Sequence, residues 1–370
     1  MESIFDISEY IASLKNKKDE KLISSIYDIE TCETRIEIPK SFEEKIFGYI
    51  TGQKMENADE SEVEEILQKV RNQKILKVIN RWTYESALYN YLRALRPGVN
   101  IKDSKKQEAW FKSNIEETKD NCDFCEPEKY TPEDSFGRIY GKHCITAANL
   151  ARFDRFHSLL IFKRHNPLDF SEDELSDYID TAFKWFERIK GISPEHSYSL
   201  LIWNCLPRAG ASQIHGHMQM LASKTIYPKM AHLLSTAKEY KEKMGIDYFE
   251  ALYNIHNILG LSIDRENLKV LFYITPVKEK EVFVIADSID SNFKIFIHQT
   301  LRKLIDELKV FSFNFSLYKI PISGKKNVIY FARIVDRGNI LSKTSDIASM
   351  ELYASSVIAN DPIKLKKLLN

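Results

Sequence analysis

Hydrophobic and polar positions change period repeatedly along this chain. From Gln213 to Met220 they largely alternate, the period-two signature of a half-buried strand. His157 to Lys163 and Tyr198 to Cys205 read as further strands, and Gly137 to Leu150 as one or two. Between them Leu175, Tyr178, Ile179, Ala182, Phe183, Phe186 and Ile189 recur at helical spacing and are read as core. Ser171 with Glu174 forms a capping box at the start of that helix, and Gly191 is placed at its C-terminal cap. The order strand, helix, strand, strand then recurs over Glu281 to Asp287, Asn292 to Lys309, Phe311 to Ile322 and Val328 to Arg337. Tyr227 to Gly260 reads as mostly helical, and a last helix is expected over Ser345 to Ala359. Residues 1 to about 115 are rich in lysine, glutamate and isoleucine with helical periodicity. Ser61 to Arg71 and Ile75 to Leu95 are the clearest helices there, the second ended by Pro97-Gly98. The pattern divides the 370 residues into a helical N-terminal extension (1–115), an α+β half (116–225) and a second half with the C-terminal helix (226–370).

Composition changes this picture little. Lysine plus arginine equals aspartate plus glutamate, 53 each, so the formal charge is zero. That argues against bulk binding of nucleic acid and leaves room for a local basic pocket. The longest apolar runs, such as Leu159 to Phe162, are far too short to span a bilayer, and Met1 to Tyr10 lacks the marks of a secretion signal. Five cysteines (Cys32, Cys122, Cys125, Cys144 and Cys205) in a chain this long indicate a reducing compartment. The expectation is a soluble cytoplasmic protein with neither a nucleic-acid nor a membrane partner.

The candidate chemistry gathers around one strand. His215, His217 and Gln219 stand two apart, so they share a face at intervals of about 6–7 Å. Imidazole is both a metal ligand and a nucleophile near neutral pH, although a histidine pair at this spacing also occurs as ordinary core. Gly210-Ala211-Ser212 offers close backbone approach and amides suited to an anion, with Asn204 and Arg208 just upstream. Cys122-x-x-Cys125 puts two thiolates within reach of one tetrahedral metal. A redox reading of that pair needs a βαβ setting that its neighbours do not supply.

Taken together, Gly210-Ala211-Ser212 before His215-x-His217-x-Gln219, with Cys122-x-x-Cys125 and His165 upstream, resembles the transferase branch of the histidine-triad (HIT) superfamily. That branch includes galactose-1-phosphate uridylyltransferase, diadenosine tetraphosphate phosphorylase and the nucleotide-sugar phosphorylases. The resemblance covers residues 120–225 by motif and the second half by architecture alone. It implies an α+β fold of HIT-like antiparallel sheets with flanking helices, in two halves of which the second is degenerate. It further implies a structural zinc ion on Cys122, Cys125, His165 and His215. His217 would be the nucleophile that forms a nucleotidyl-histidine, with Gln219 donating its amide to a phosphate oxygen. Ser212, Gln213 and the backbone amides of residues 210–213 would surround the same phosphorus. Asn204 and Asn149 would contact phosphate and nucleotide, and Arg208 a terminal phosphate.

The hydrolase branch would carry a third histidine where this chain has Gln219. A carboxamide cannot act as acid or base, so the substitution favours transfer over hydrolysis. The expected function is a nucleotidyltransferase or phosphorylase acting on a nucleoside-diphosphate sugar or dinucleoside polyphosphate, with phosphate or a sugar 1-phosphate as acceptor. The other readings are a nucleotide hydrolase of the same superfamily and a catalytically inactive, zinc-stabilised nucleotide-binding protein. Two departures from the family stand out. Gly216 replaces the proline usual in uridylyltransferases, and Val328 to Arg337 has no histidine, leaving Arg333 and Arg337 as candidates for an acceptor phosphate. Relatives often dimerise, which leaves a homodimer open.

Overall fold

The structure, a computed structural model, describes residues 1–95, 104–321 and 328–369. Near the N-terminus, β1 (Tyr27–Arg35), β2 (Asn72–Asn80) and β3 (Ser86–Tyr89) form an antiparallel meander between helices that include Glu60–Arg71. The helix expected over Ile75 to Leu95 is therefore a strand pair followed by a 3₁₀ turn, Tyr91–Leu95. Ile75, Val78 and Ile79 are β-branched and pair across β1, so sheet packing overrides a spacing that also suits a helix. The turn between β2 and β3 carries no glycine or proline. Asn80 builds it, its Oδ1 accepting from the amides of Trp82 and Thr83. The stop expected at Pro97-Gly98 lies outside the described residues.

The body is one nine-stranded sheet. Its first four strands are β4 (Cys144–Ala148), β5 (Phe156–Phe162), β6 (Tyr198–Cys205) and β7 (His217–Ser223). Then follow β8 (Ser262–Arg265), β9 (Leu268–Phe272), β10 (Glu279–Ala286), β11 (Phe313–Pro321) and β12 (Val328–Asp336). The order across the sheet is β4-β5-β7-β6-β11-β12-β10-β9-β8, all pairs antiparallel. Strand, strand, helix, strand, strand occurs twice, with helix Glu172–Ile192 in the first copy and Ser291–Asp306 in the second. The copies meet head to head where β6 pairs with β11. Two halves of like topology thus share one sheet, the second without histidines on its last strand.

One face of this sheet packs on the two helices. Phe162, Trp203, Met218, Met220, Phe313 and Ile334 point there and are fully buried, and Phe162 stacks on Tyr178 of the first helix at 3.8 Å. That helix starts at the expected Ser171–Glu174 capping box but runs on to Ile192, so Gly191 lies in its last turn and Ser193 caps it. The opposite face carries the side chains that alternate with these, among them His157, Asn204, His217, Gln219, Asn314 and Arg333.

At the C-terminus the helix expected over Ser345 to Ala359 shrinks to Ser349–Tyr353. β13 (Ser356–Ile358) then joins β3 in parallel, and helix Pro362–Leu369 closes the described chain. Among the described residues no helix is long and apolar enough to cross a membrane.

Candidate active site

Four side chains from three distant segments converge beside β5 and β7. Cys122 and Cys125 bracket a 3₁₀ turn, Asp123–Cys125, closed by the Cys125 amide on the Cys122 carbonyl. His165 follows β5, and His215 lies in the loop two residues before β7, not on the strand as its spacing suggests. The ligand atoms lie within 4.8 Å of one another. Sγ to Nδ1 separations are 3.4 Å for Cys122–His215, 3.4 Å for Cys125–His165 and 3.6 Å for Cys125–His215. His165 Nδ1 and His215 Nδ1 are 3.2 Å apart.

The tautomers decide what these contacts mean. His215 Nε2 donates to the Phe162 carbonyl at 2.7 Å, so its Nδ1 presents a lone pair. The Thr118 hydroxyl donates to the Asn114 carbonyl at 2.6 Å and accepts from His165 Nε2 at 3.1 Å. Nδ1 of His165 is therefore bare as well. Two lone pairs facing at 3.2 Å repel unless a cation lies between them. Tetrahedral zinc bonded at ordinary lengths sets S to N distances of about 3.5 Å and N to N of about 3.3 Å. The observed separations fit that geometry. Burial holds the His215 pKa down at about 4 and lowers that of His165, which keeps both rings neutral and able to ligate. The donor set fits a divalent metal.

His217 begins β7, only 6 % exposed. Its Nδ1 donates to the His215 carbonyl at 2.8 Å, and Nε2 has no partner among the described residues. Burial lowers its pKa, so the ring is neutral with a nucleophilic lone pair on Nε2. Phe124, inside the Cys-x-x-Cys turn, packs edge-on against both His215 (5.8 Å) and His217 (5.3 Å). The metal-fitting turn therefore abuts the candidate nucleophile directly.

Gln219 is oriented by a residue that the sequence reading missed. The Phe153 amide donates to His157 Nδ1 at 3.0 Å, so His157 Nε2 carries the proton and donates to Gln219 Oε1 at 2.9 Å. Among the described residues the carboxamide nitrogen of Gln219 is left as a donor without a partner. Asn149 Oδ1 accepts from the Ala151 amide, and its Nδ2 lies 3.1 Å from His157 Nε2, which brings Asn149 to the same corner. Beside it Leu150 and Phe153 are exposed, the latter stacked on His157 at 4.8 Å. Register held the signal for His157: as the second residue of β5 it stands opposite Leu221, one step diagonal to Gln219. Thr118 and Phe124 are missed as well, since neither belongs to a short motif of ligands.

The loop from Leu206 to Gly216 is only partly the anion cradle expected. Leu206 is buried with φ 69° and ψ 165°, a conformation strained for any side chain, and Gly210 follows at φ 98°. The Gly210 amide donates to the Pro207 carbonyl at 2.9 Å and that of Ala211 to the Leu206 carbonyl at 3.2 Å. Those two amides close the turn and are not available to a ligand. The amides of Ser212 and Gln213 have no protein acceptor among the described residues, and both side chains are exposed. Arg208 is directed at the second half: Nε donates to the Arg337 carbonyl at 3.3 Å and Nη1 to the Thr344 carbonyl. There it lines a cavity of about 290 Å³ with Lys278 and Arg337.

Arg333 is committed to Glu85 (2.9 Å) and Glu281, and Arg337 to Asp346 (2.5 Å) and Asn314. Arg333 thus ties the N-terminal segment to β10, while Arg337 is held within the second half. Gly216 has a local cause. A Cβ at that position would lie 2.3 Å from Phe162 Cδ2, and the Phe162 amide bonds to the Gly216 carbonyl at 2.9 Å. Proline or any side chain there needs a smaller residue at position 162.

No family model matches this sequence. A 153-residue stretch is 28% identical to an uncharacterized protein of Archaeoglobus fulgidus, covering 39% of this chain and 46% of that relative. The match thus spans under half of the relative's length. Among solved structures, an ADP-glucose phosphorylase from Arabidopsis thaliana with bound ADP-glucose aligns over 79% of this chain and 97% of its own, with a TM-score of 0.58 at 17% identity. A GalT-like protein from the same plant aligns over 67% and 91%, with a TM-score of 0.54 at 18% identity. The likeness is one of fold: the chain shares the α+β architecture of these two proteins.

Proposed function

We propose that this protein transfers a nucleotidyl group through His217. The single observation that carries the reading is the state of that imidazole: buried, neutral, its Nδ1 proton fixed on the His215 carbonyl and its Nε2 lone pair uncommitted. The likeness in fold to a phosphorylase of a nucleotide sugar supports the substrate class, a nucleoside-diphosphate sugar or a dinucleoside polyphosphate.

In the first displacement, Nε2 attacks the α-phosphorus and forms a P–N bond. The P–O bond to the β-phosphate breaks, and sugar 1-phosphate or a nucleoside polyphosphate leaves with the electron pair. The ring becomes a nucleotidyl-imidazolium whose Nδ1–H stays on the His215 carbonyl, which stabilises the new positive charge. In the second displacement, an oxygen of phosphate or of a sugar 1-phosphate attacks the same phosphorus; the P–N bond breaks, and its electron pair returns to Nε2 to restore the neutral ring.

Catalysis of both steps rests on preorganised donors. The Gln219 amide, with its oxygen held by His157, aims N–H at the phosphate oxygens, and the Ser212 hydroxyl and the Ser212 and Gln213 amides add to it. Asn149, with exposed Leu150 and Phe153, offers a polar contact and apolar surface for the nucleoside. Cys122, Cys125, His165 and His215 would hold zinc, which with four protein ligands supplies a structural tie and no place for water. Its tie would seat the carbonyl of His215, the acceptor that orients His217.

Incubation with α-labelled UDP-, ADP- or GDP-sugars and with diadenosine polyphosphates is expected to leave acid-labile label on the protein. His217→Ala should take none while remaining folded. Absence of label with every one of these compounds would overturn the reading.

A further inference from the structure

The second half of the sheet brings no histidine to the site, yet it reaches the site through one side chain. β11 pairs with β6 so that Asn314 stands opposite Asn204. β6 pairs with β7 from Tyr198–Ser223 to Ile202–Gln219, and the same register continued by two residues sets Asn204 opposite His217. Three neighbouring strands therefore present an imidazole and two carboxamides in one row on one face.

The hydrogen bonds around Asn314 have one consistent solution. A guanidinium only donates, and Nη1 of Arg337 meets the side-chain oxygen of Asn314. That turns Asn314 Nδ2 to the other side, where it donates to the Ala209 carbonyl at 3.0 Å, a group that only accepts. The same Nδ2 donates to Asn204 Oδ1 at 2.7 Å. With its oxygen engaged, Asn204 points Nδ2 away from Asn314. That nitrogen has no partner among the described residues and lies 4.0 Å from where a Cβ on Gly210 would be. Arg337 is itself fixed by Asp346 at 2.5 Å.

We propose that Arg337 and Asn314 are positioning residues that lock the Asn204 carboxamide with its N–H groups toward the phosphate oxygens of a nucleotide on His217. An unlocked asparagine can turn by a half-circle and offer oxygen to the phosphate, which repels it. A lock set before substrate arrives removes that reorganisation from the barrier. The identity of the group that Asn204 meets rests on the nucleotidyl-transfer reading, whereas the lock rests on the hydrogen bonds alone.

The test uses the full chain and the rate of label uptake. Asn204→Ala should slow it by about 100-fold, the usual effect of losing one preorganised donor. Asn314→Asp replaces a donor with an acceptor, so Asn204 must turn its amide to the new carboxylate and its oxygen to the site. Its rate should fall as far as in Asn204→Ala, with little change in KM, while Asn314→Ala falls only about 10-fold. In the Asn204→Ala background, Asn314→Asp should add nothing. Equal losses for the aspartate and alanine variants, or a full additional loss in the double variant, would overturn the lock.

A second readout needs no turnover. The side-chain amide protons of Asn204, assigned by their loss in Asn204→Ala, should exchange freely in the wild type and become protected in Asn314→Asp. No such change overturns the lock even in an active protein. If the change appears and the wild type takes no label from any nucleotide, the lock stands and the nucleotidyl-transfer reading falls.

Discussion

The two halves of the nine-stranded sheet share strand order and a helix packed on the same face, yet the polar groups that stand out on the opposite face are in contrasting states. In the first half, buried His217 and half-buried Gln219 leave Nε2 and the amide nitrogen without partners among the described residues. In the second half, Arg333 is bound by Glu85 and Glu281 and lies against the rings of Tyr273 and Phe283. Both halves are built by buried apolar positions on the helix side. What separates them is hydrogen-bonding capacity left over on the other side. Buried polar groups are normally satisfied. A spare lone pair alone marks nothing, since the Nε2 of core residue His256 is also partnerless; His217 differs in standing with Gln219 and Asn204 on the same sheet face.

Removing the free lone pair should have the largest effect. His217→Ala is expected to lower transfer by about 10⁴-fold or more with the melting temperature nearly unchanged, read by label uptake and calorimetry. The reverse is expected at Arg333. Arg333→Met leaves Glu281 buried without its cation and should cost about 3 kcal/mol of stability, seen as a lower denaturation midpoint. A stability-neutral Arg333→Met would break the contrast between the halves.

Smaller effects sharpen it. Gly216→Ala drives a methyl into Phe162 and should destabilise by about 2 kcal/mol, with most of that recovered by adding Phe162→Leu. Additive losses in this pair would show that Phe162 is not what restricts position 216. Thr118→Val removes the acceptor that fixes the His165 ring, so metal affinity in a competitive chelator titration should drop about 10-fold. An unchanged affinity would mean that His165 is oriented by its loop alone.

The parts legible in the sequence were those whose cause is local. The Ser171 capping box, the helical stripe behind it and the strands flanking it stand where the pattern puts them. So do the repeated elements from Glu279 to Asp336. What failed was non-local. β13 exists because it lies along β3, some 270 residues earlier in the chain, and nothing near Ser356 announces it. Ile75 to Ile79 fits either period until β1 is known to lie beside it.

The site divides the same way. Cys122, Cys125, His165, His215 and His217 are chemically conspicuous in short spacings, and the fold does bring them together. The orienting groups Thr118, His157, Asn314 and Arg337 are ordinary residues whose roles depend on a partner found only through register. Backbone amides mislead for a related reason. Gly210 and Ala211 look free in a glycine-containing loop and are consumed by the turn they make.

The β6–β11 junction has a mechanical consequence. Seven residue pairs, from Phe313–Cys205 to Lys319–Ser199, join the halves as an unbroken ladder. A clamshell motion, in which the halves part to admit cargo, would tear that ladder open. Access to His217 therefore cannot depend on the halves parting, and the two must move as one sheet.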